Sequence, residues 1–178
     1  KDPIMLVARS FDINKPGITP DKLVGGVLGG SLKQGVLKIN EMIEIRPGRV
    51  IIEKNQQVWK PITTKVGSLN AGSLSIDSVC PGGSIGVLTS LDPSIVKSDQ
   101  LTGSLAGLPG KLPKVWNELM LDVHLLQRVV GTKEELNVEP IKMGEALMLN
   151  VNSAATVGIV IELRKNKIKC RLKLPVCA

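Results

Sequence analysis

Short apolar runs separated by glycine and proline dominate the first 48 residues of the chain. Between Ile4 and Gly48, stretches rich in Val, Ile and Leu are interrupted by the pairs Gly25-Gly26 and Gly29-Gly30 and by Pro47-Gly48. Glycine and proline weaken helix interiors, and this punctuation is typical of short strands joined by tight turns. With 18 glycines and 11 prolines in 178 residues, the chain is predicted to be all-β and to close into small β-barrels.

Composition narrows the classes of function. No apolar run approaches the roughly 18 residues of a membrane span, so we expect no membrane partner. The net charge of +7 favours a polyanionic partner. Only Phe11, Trp59 and Trp116 are aromatic, which is few for recognising single-stranded RNA by stacking. If RNA binds, we expect a shaped, largely double-helical RNA held through its phosphates and by backbone amides.

Catalytic and metal sites have no recognisable residues in this sequence. Cys80, Cys170 and Cys177 form no CxxC pair, and they are expected to be reduced thiols. His124 is the only histidine and is expected at the edge of the core. A phosphate loop needs Gly-Lys followed by Ser or Thr, but Leu112 follows Gly110-Lys111. We therefore predict no catalytic residue, no metal and no cofactor in this chain.

Proline and glycine also divide the chain. Two prolines and a glycine within 109–113 predict a linker, which leaves a barrel over 1–108 and a second, partial barrel over 114–178. Alternating apolar residues predict a strand over Met42–Arg46 that ends in a turn at Pro47-Gly48. One helical turn is predicted at Lys133–Leu136.

Seven segments carry motifs specific enough to indicate a family. They read RSFDINKPG (9–17), GGVLGGS (25–31), IEIRPG (43–48), PGGSIGV (81–87), LDPS (91–94), RVVGTKEEL (128–136) and EALMLNV (145–151). Together they resemble the gamma subunit of archaeal and eukaryotic translation initiation factor 2, in a style closer to the archaeal members. The NKPG loop and the RVVGTKEEL segment separate this family from other translational GTPases.

The resemblance implies a domain organisation and a function. By this resemblance the chain corresponds to the two β-barrels that follow a GTP-binding domain, and the second barrel lacks its last strands. The family delivers initiator methionyl-tRNA to the small ribosomal subunit in the cytoplasm, in a GTP-dependent way. Its gamma subunit binds an alpha subunit, and it binds a beta subunit through the GTP-binding domain. GTP and magnesium belong to that domain, so the resemblance implies that this chain is not itself an enzyme.

The resemblance also implies two sites on the first barrel. In carriers of aminoacyl-tRNA, a glycine-rich rim receives the terminal adenosine and its amino acid. By this resemblance the tRNA pocket is lined by Arg9, Ile13, Val27, Gly29, Gly67 and Leu88. The polar loop Asn14–Lys22 corresponds to the place where the alpha subunit docks. Its contacts would come from Asp12, Asn14, Lys15, Pro16, Gly17 and Asp21.

A third candidate site comes from charge alone. Residues 164–173 hold six basic residues and no acid. Strand periodicity puts Lys167, Lys169, Arg171 and Lys173 on one face, here called the basic ridge, with Ile168, Cys170, Leu172 and Leu174 facing the core. The simpler interpretation is a solvated outer face. The more specific hypothesis is a ridge that contacts RNA phosphates.

Two alternatives to this function stay open. The barrels could belong to another tRNA-carrying translational GTPase, such as the selenocysteine-specific elongation factor, although the NKPG loop argues against it. They could also form a general interaction module with no role in RNA binding.

Overall fold

Strands make up most of the chain. The computed structural model describes residues 1–127 and 137–178. The strands are β1 Ile4–Phe11, β2 Val27–Gln34, β3 Leu37–Lys38, β4 Met42–Glu53, β5 Gln56–Ala71, β6 Leu74–Ile76, β7 Ser78–Val79, β8 Ser84–Thr89, β9 Leu105–Gly107, β10 Val115–Asp122, β11 Ala146–Val151, β12 Ala154–Arg164 and β13 Lys167–Cys177. Short helical turns occur at Pro20–Lys22, at Pro93–Val96 (α1) and at Lys97–Asp99. The predicted all-β class is confirmed.

Contacts divide the chain into two compact units. The first contains residues 1–115, 151–154 and 176–178, and the second contains residues 116–150 and 155–175. The predicted domain division at 109–113 remains a prediction. The segment RVVGTKEEL and the helical turn predicted at Lys133–Leu136 lie outside the described residues.

The first unit contains a closed six-stranded barrel. Its strands follow the order β4-β9-β1-β2-β8-β5, and pairing of β4 with β5 closes the ring, while β6 extends the sheet beyond β5. Alternate residues of each strand point inward. Fully buried side chains from five strands form one core: Met5, Val7, Leu28, Ile43, Ile45, Val66, Leu69 and Val87. The prediction of a small barrel is therefore confirmed for this unit.

The turn predicted at Pro47-Gly48 is wrong. Strand β4 continues through both residues, and the register with β5 shifts between Ile45 and Arg49. Gly48 has a φ of +90°, and a Cβ at this position would lie 1.9 Å from the carbonyl oxygen of Lys60. Proline and glycine here allow a β-bulge within a long strand instead of a reversal of the chain. The chain reverses later, at Lys54-Asn55, where both residues have positive φ.

In its described residues, the second unit contains a four-stranded sheet in the order β10-β13-β12-β11. Strands β12 and β13 are antiparallel. Their buried side chains include Val160, Ile168, Cys170 and Leu172. His124 was expected at the edge of this core but is exposed, because β10 ends two residues earlier at Asp122.

Candidate nucleic-acid and subunit interface

The outer face of the barrel carries five of the six residues predicted for the tRNA pocket, and the pairing of β2 with β1 and β8 places four of them. The strand register pairs Arg9 with Gly29 and Val27 with Leu88. Directly paired residues lie on the same face of a sheet. The neighbouring pair, Leu28 with Val87, points into the core. Arg9, Val27, Gly29 and Leu88 therefore share the outer face.

A register shift in β1 decides which way Arg9 points. The pairing with β2 is irregular between Val7 and Arg9. Val7 and Ser10 are both buried, and Arg9 is exposed. The Ser10 hydroxyl donates to the carbonyl of Val96 at 2.9 Å and accepts from the amide of Leu101 at 3.0 Å. These buried bonds hold the end of β1 with Arg9 outward.

Gly67 joins this face through a second irregularity. The register between β5 and β8 shifts between Val66 and Ser68, and a Cβ on Gly67 would lie 3.5 Å from the carbonyl oxygen of Leu88. Gly29 is partly exposed on the same face, and an added Cβ there would be in ordinary contact, 3.5 Å from the Arg9 Cβ and 3.6 Å from the Phe11 ring. Because Gly29 and Gly67 have no side chain, their backbone lies close to the surface beside the apolar pair Val27 and Leu88.

Ile13 differs from the other predicted pocket residues. It lies beyond the end of β1 and is 52% exposed. Nearby in the sequence, Ile18, Leu23 and Val24 are also exposed. Ile13 is therefore an exposed apolar residue outside the paired strands, and its place in the tRNA pocket remains a prediction.

Arg9 is held at this surface by an acidic residue distant in the sequence. Its Nε donates to Oδ1 of Asp99 at 2.9 Å and to Oδ2 at 3.1 Å. The backbone N–H of Ser10 donates to Oδ1 at 2.9 Å. These hydrogen bonds, that from Arg9 first, hold the pKa of Asp99 below its ordinary value. Sequence reasoning missed Asp99, because its partner lies 90 residues away.

The polar loop is closed at its base and exposed at its tip. Oδ1 of Asn14 accepts from the amide of Val24, and its Nδ2 donates to the carbonyl of Val24. Oδ1 of Asp12 accepts from the amide and the side chain of Asn14. Of the predicted docking residues, Asp12 and Asn14 thus also bond within the loop.

The tip of the loop is a turn. The amide of Ile18 donates to the carbonyl of Lys15 at 3.3 Å, and Gly17 has a φ of +84°. This turn and the following Asp21 are exposed. The predicted docking residues at the tip, namely Lys15, Pro16, Gly17 and Asp21, are therefore available to a partner.

The basic ridge is partly neutralised by acidic residues of β10. Nζ of Lys169 lies 2.7 Å from Oε2 of Glu118, and Nε of Arg171 lies 3.5 Å from Oε1 of the same residue. Nζ of Lys167 lies 3.7 Å from Oδ1 of Asp122. Among the described residues, Lys173 has no ion-pair partner. The cluster seen in the sequence is therefore less positive in the fold.

One residue predicted beneath the ridge is placed differently. Ile168, Cys170 and Leu172 are buried as expected, but Leu174 is 49% exposed. The described pairing of β12 with β13 ends at Gly158 and Leu172. Beyond it, the Thr156 hydroxyl bonds both the amide and the carbonyl of Leu174. Strand β13 continues to Cys177, but its regular in–out alternation breaks after Leu172. The prediction that Leu174 faces the core is therefore wrong.

The remaining candidate features among the described residues are metal sites, membrane-spanning helices and cavities. In the parts of the chain that the structure describes, no group of three His, Cys, Asp or Glu side chains could hold a metal ion. No helix within those parts is long and apolar enough to cross a membrane. A cavity of about 390 Å³ lies between the β4–β5 hairpin and α1 with the segment after it, and residues including Trp59, Ile95 and Gln100 line it.

Known proteins resemble this chain in sequence over its whole length. The family model described as "Initiation factor eIF2 gamma, C terminal" matches residues 117–178. The chain is 55% identical over 178 residues to translation initiation factor 2 subunit gamma of Pyrococcus furiosus, covering all of this chain and 43% of that protein. The corresponding protein of Methanocaldococcus jannaschii is 53% identical over 176 residues, which cover 99% of this chain and 43% of the relative. The chain thus spans less than half the length of these relatives.

A solved structure shares the fold. The bacterial selenocysteine-specific elongation factor EF-Sec aligns with a TM-score of 0.65 over 100% of this chain and 24% of its own. Sequence identity is 19%, so this likeness concerns the fold alone.

Proposed function

The chain belongs to the gamma-subunit family of translation initiation factor 2, and we propose that it supplies the tRNA-binding and subunit-binding surfaces of such a factor. In this proposal the outer face of the first barrel receives the aminoacylated 3′ end of initiator methionyl-tRNA. The exposed loop 14–22 docks the alpha subunit. The complete factor binds GTP and magnesium in a further domain, binds a beta subunit there, and delivers the tRNA to the small ribosomal subunit in the cytoplasm.

The register of the barrel strands carries the tRNA part of the proposal. It gathers an exposed guanidinium, two glycines and an apolar pair on one face, the residues being Arg9, Gly29, Gly67, Val27 and Leu88. Glycine allows close approach of a ligand to backbone groups, which can bond a ribose or an ester. An arginine beside such a surface is suited to a phosphate. This combination of groups on one face supports an aminoacylated RNA end as the proposed ligand.

The loop supports the docking part of the proposal. Its base is fixed by the two Asn14–Val24 hydrogen bonds, and Pro16 restricts the exposed tip. A loop ordered before binding loses less conformational entropy on association. Exposed Ile18 and Leu23 add apolar area beside the charged Lys15 and Asp21. Such a mixture suits a specific protein partner better than a solvated connection.

Calorimetric titration with the C-terminal domain of an alpha subunit tests the docking. Residues 15–21 are replaced by a glycine-serine segment of equal length, which leaves the Asn14–Val24 closure intact. We expect the unaltered chain to bind and the loop variant to lose binding. A matched control replaces Lys54-Asn55, the exposed hairpin turn, by Asn-Gly and should bind normally. No binding by a folded, unaltered chain would contradict the docking proposal.

The same titration separates the proposal from its alternatives. An elongation-factor barrel or a general interaction module would not bind an alpha subunit. Binding of the alpha subunit without any binding of initiator tRNA would retain the family assignment and remove the tRNA pocket from the proposal.

The basic ridge is the second proposed RNA contact. Exposed ion pairs contribute little to stability, so a phosphate can compete for Lys167, Lys169 and Arg171. Lys173 has no ion-pair partner among the described residues, so a phosphate that binds it displaces no carboxylate. We expect Lys173→Gln to lower the salt dependence of tRNA binding more than Lys169→Gln, because Lys169 lies 2.7 Å from Glu118. If log affinity falls with log salt at the same slope in both variants and in the unaltered chain, the basic ridge does not contact RNA.

A further inference from the structure

The segment that follows α1 is strained at the point where it meets Arg9. Ser98 and Asp99 both adopt left-handed backbone conformations, with φ of 56° and 59°. Left-handed conformations are unfavourable for residues other than glycine, although aspartate tolerates them better than most. This backbone brings the Asp99 carboxylate to the end of β1.

The ion pair that results does little for stability by itself. The side chains of Arg9 and Asp99 are 68% and 38% exposed. Double-mutant cycles at such exposed pairs usually give small coupling energies. The strained backbone thus supports a weak surface ion pair and one partly buried hydrogen bond from the Ser10 amide. Backbone strain of this kind clusters at functional positions.

The geometry of the pair leaves most of the guanidinium available. Asp99 engages Nε of Arg9 with both carboxylate oxygens. Among the described residues, the two Nη groups have no hydrogen-bond partner. Arginine has five N–H donors in a planar fork, so four remain, two of them on the outward edge between the two Nη groups. That edge matches two oxygens of a phosphate.

We propose that Asp99 is a positioning residue, which fixes the Arg9 side chain so that its outward edge binds an RNA phosphate on the outer face of the barrel. This inference rests on the proposed tRNA-binding function and deepens it. Without Asp99, Arg9 keeps its charge but must be ordered when RNA binds, and ordering a long side chain weakens association.

The direction in which one substitution changes RNA affinity tests this inference. Asp99→Asn removes a negative charge, and long-range attraction alone would then make an RNA bind more tightly. Loss of positioning predicts weaker binding. We expect about three- to tenfold weaker binding of methionylated initiator tRNA, the range that corresponds to ordering one arginine side chain.

A matched control comes from the same segment. Asp92 is exposed and caps α1, its Oδ1 accepting from the amide of Ser94 at 2.8 Å. Asp92→Asn removes the same charge but does not touch Arg9, so binding should be unchanged or slightly tighter. Arg9→Gln should weaken binding and lower the slope of log affinity against log salt by about one.

Titrations of the 178-residue chain and its variants across a salt series separate the outcomes. Weaker binding by Asp99→Asn, with Asp92→Asn unaffected, supports the inference. Weaker binding by Arg9→Gln but tighter or unchanged binding by Asp99→Asn overturns it and leaves the tRNA site in place. If neither Arg9→Gln nor Asp99→Asn changes the affinity, or if the folded chain binds no tRNA, both the inference and the tRNA part of the proposed function fail.

A second readout removes the ambiguity of a misfolded variant. In the unaltered chain the Arg9 Nε–H is hydrogen-bonded, so its NMR signal should exchange slowly with water. Asp99→Asn should accelerate that exchange while the backbone amide spectrum of the barrel is retained. Unchanged exchange at Arg9 Nε would show that Asp99 does not hold the side chain and would overturn the inference.

Discussion

At the scale of single residues, Glu44 is a nearly buried carboxylate with both oxygens in use. It is 7% exposed. Its Oε1 accepts from Nε of Arg46 at 2.5 Å, and its Oε2 accepts from the amide of Gly110 at 2.6 Å. Arg46 in turn bonds the carbonyls of Leu112 and Pro113. This short network ties the segment after β9 to β4.

Replacing Glu44 should destabilise the first unit in a pH-dependent way. Burial acts to raise the pKa of Glu44, but the bonds from Gly110 and Arg46 outweigh it and hold the pKa below the ordinary 4.5. The stabilisation is therefore complete above that pH and is lost as the pH falls through the folded pKa. We expect Glu44→Gln to cost about 1–3 kcal/mol at pH 7 and less in acid.

Denaturant unfolding at pH 7 and at pH 3.5, roughly one unit below the ordinary pKa, measures this difference. Glu53→Gln is the control, because Glu53 is exposed and pairs with Lys60 at the surface. It should change stability by less than about 0.5 kcal/mol. Equal effects of the two substitutions at pH 7 would contradict the assigned role of Glu44.

The three cysteines should differ in reactivity. Burial raises the pKa of Cys170, and it raises the pKa of Cys177 to about 11, while Cys80 is exposed. The thiolate is the nucleophile. We expect iodoacetamide at pH 8 to modify Cys80 alone in the native chain and all three thiols in denaturant, as counted by mass spectrometry. Rapid native labelling of Cys177 would contradict its burial.

At the scale of elements, glycine determines where the long strand β4 bends. Gly48 combines a φ of +90° with an added Cβ only 1.9 Å from a backbone oxygen of β5. Gly86 on β8 has no such restriction, since an added Cβ would lie 4.0 Å from the Asn70 Cβ. Gly48 therefore occupies a bulge that requires glycine, whereas Gly86 occupies an ordinary strand position.

Alanine substitutions test that distinction. Gly48→Ala should lower the free energy of unfolding by about 3 kcal/mol, because it adds both backbone strain and a steric clash. Gly86→Ala should change it by less than about 1 kcal/mol. Thermal and denaturant unfolding of both variants checks the prediction. A Gly48→Ala variant as stable as the unaltered chain would mean that the bulge can relax without cost.

At the scale of the whole molecule, the two compact units differ in how much apolar surface they bury. Among the described residues, the barrel core joins fully buried side chains from β1, β2, β4, β5 and β8. The four-stranded sheet buries a smaller set that includes Val160 and Ile168. Local opening requires least free energy where few apolar contacts are lost.

Hydrogen exchange should therefore differ between the units. We expect amides of the central barrel strands β1, β2 and β8 to exchange at least about tenfold more slowly than those of β11 and β12. Hydrogen–deuterium exchange followed by mass spectrometry of the intact chain measures both regions together. Equal protection in the two regions would show that they open as one cooperative unit.

The sequence by itself determined the strand content, the small barrel and the family. Those conclusions depend on local properties, namely the spacing of apolar residues, the turn-forming glycines and the motifs from 9–17 onward. It also placed the inward face of β13 correctly as far as Leu172, because in–out alternation is a local property of a regular strand.

Only the tertiary structure decided the remaining features. The bulge at Gly48, the outward direction of Arg9 and the exposure of Leu174 depend on pairing with other strands. The contacts of Arg9 with Asp99 and of Lys169 with Glu118 join residues 90 and 51 positions apart. No local pattern encodes such distances, because strand register and ion pairing are set only when the sheets close.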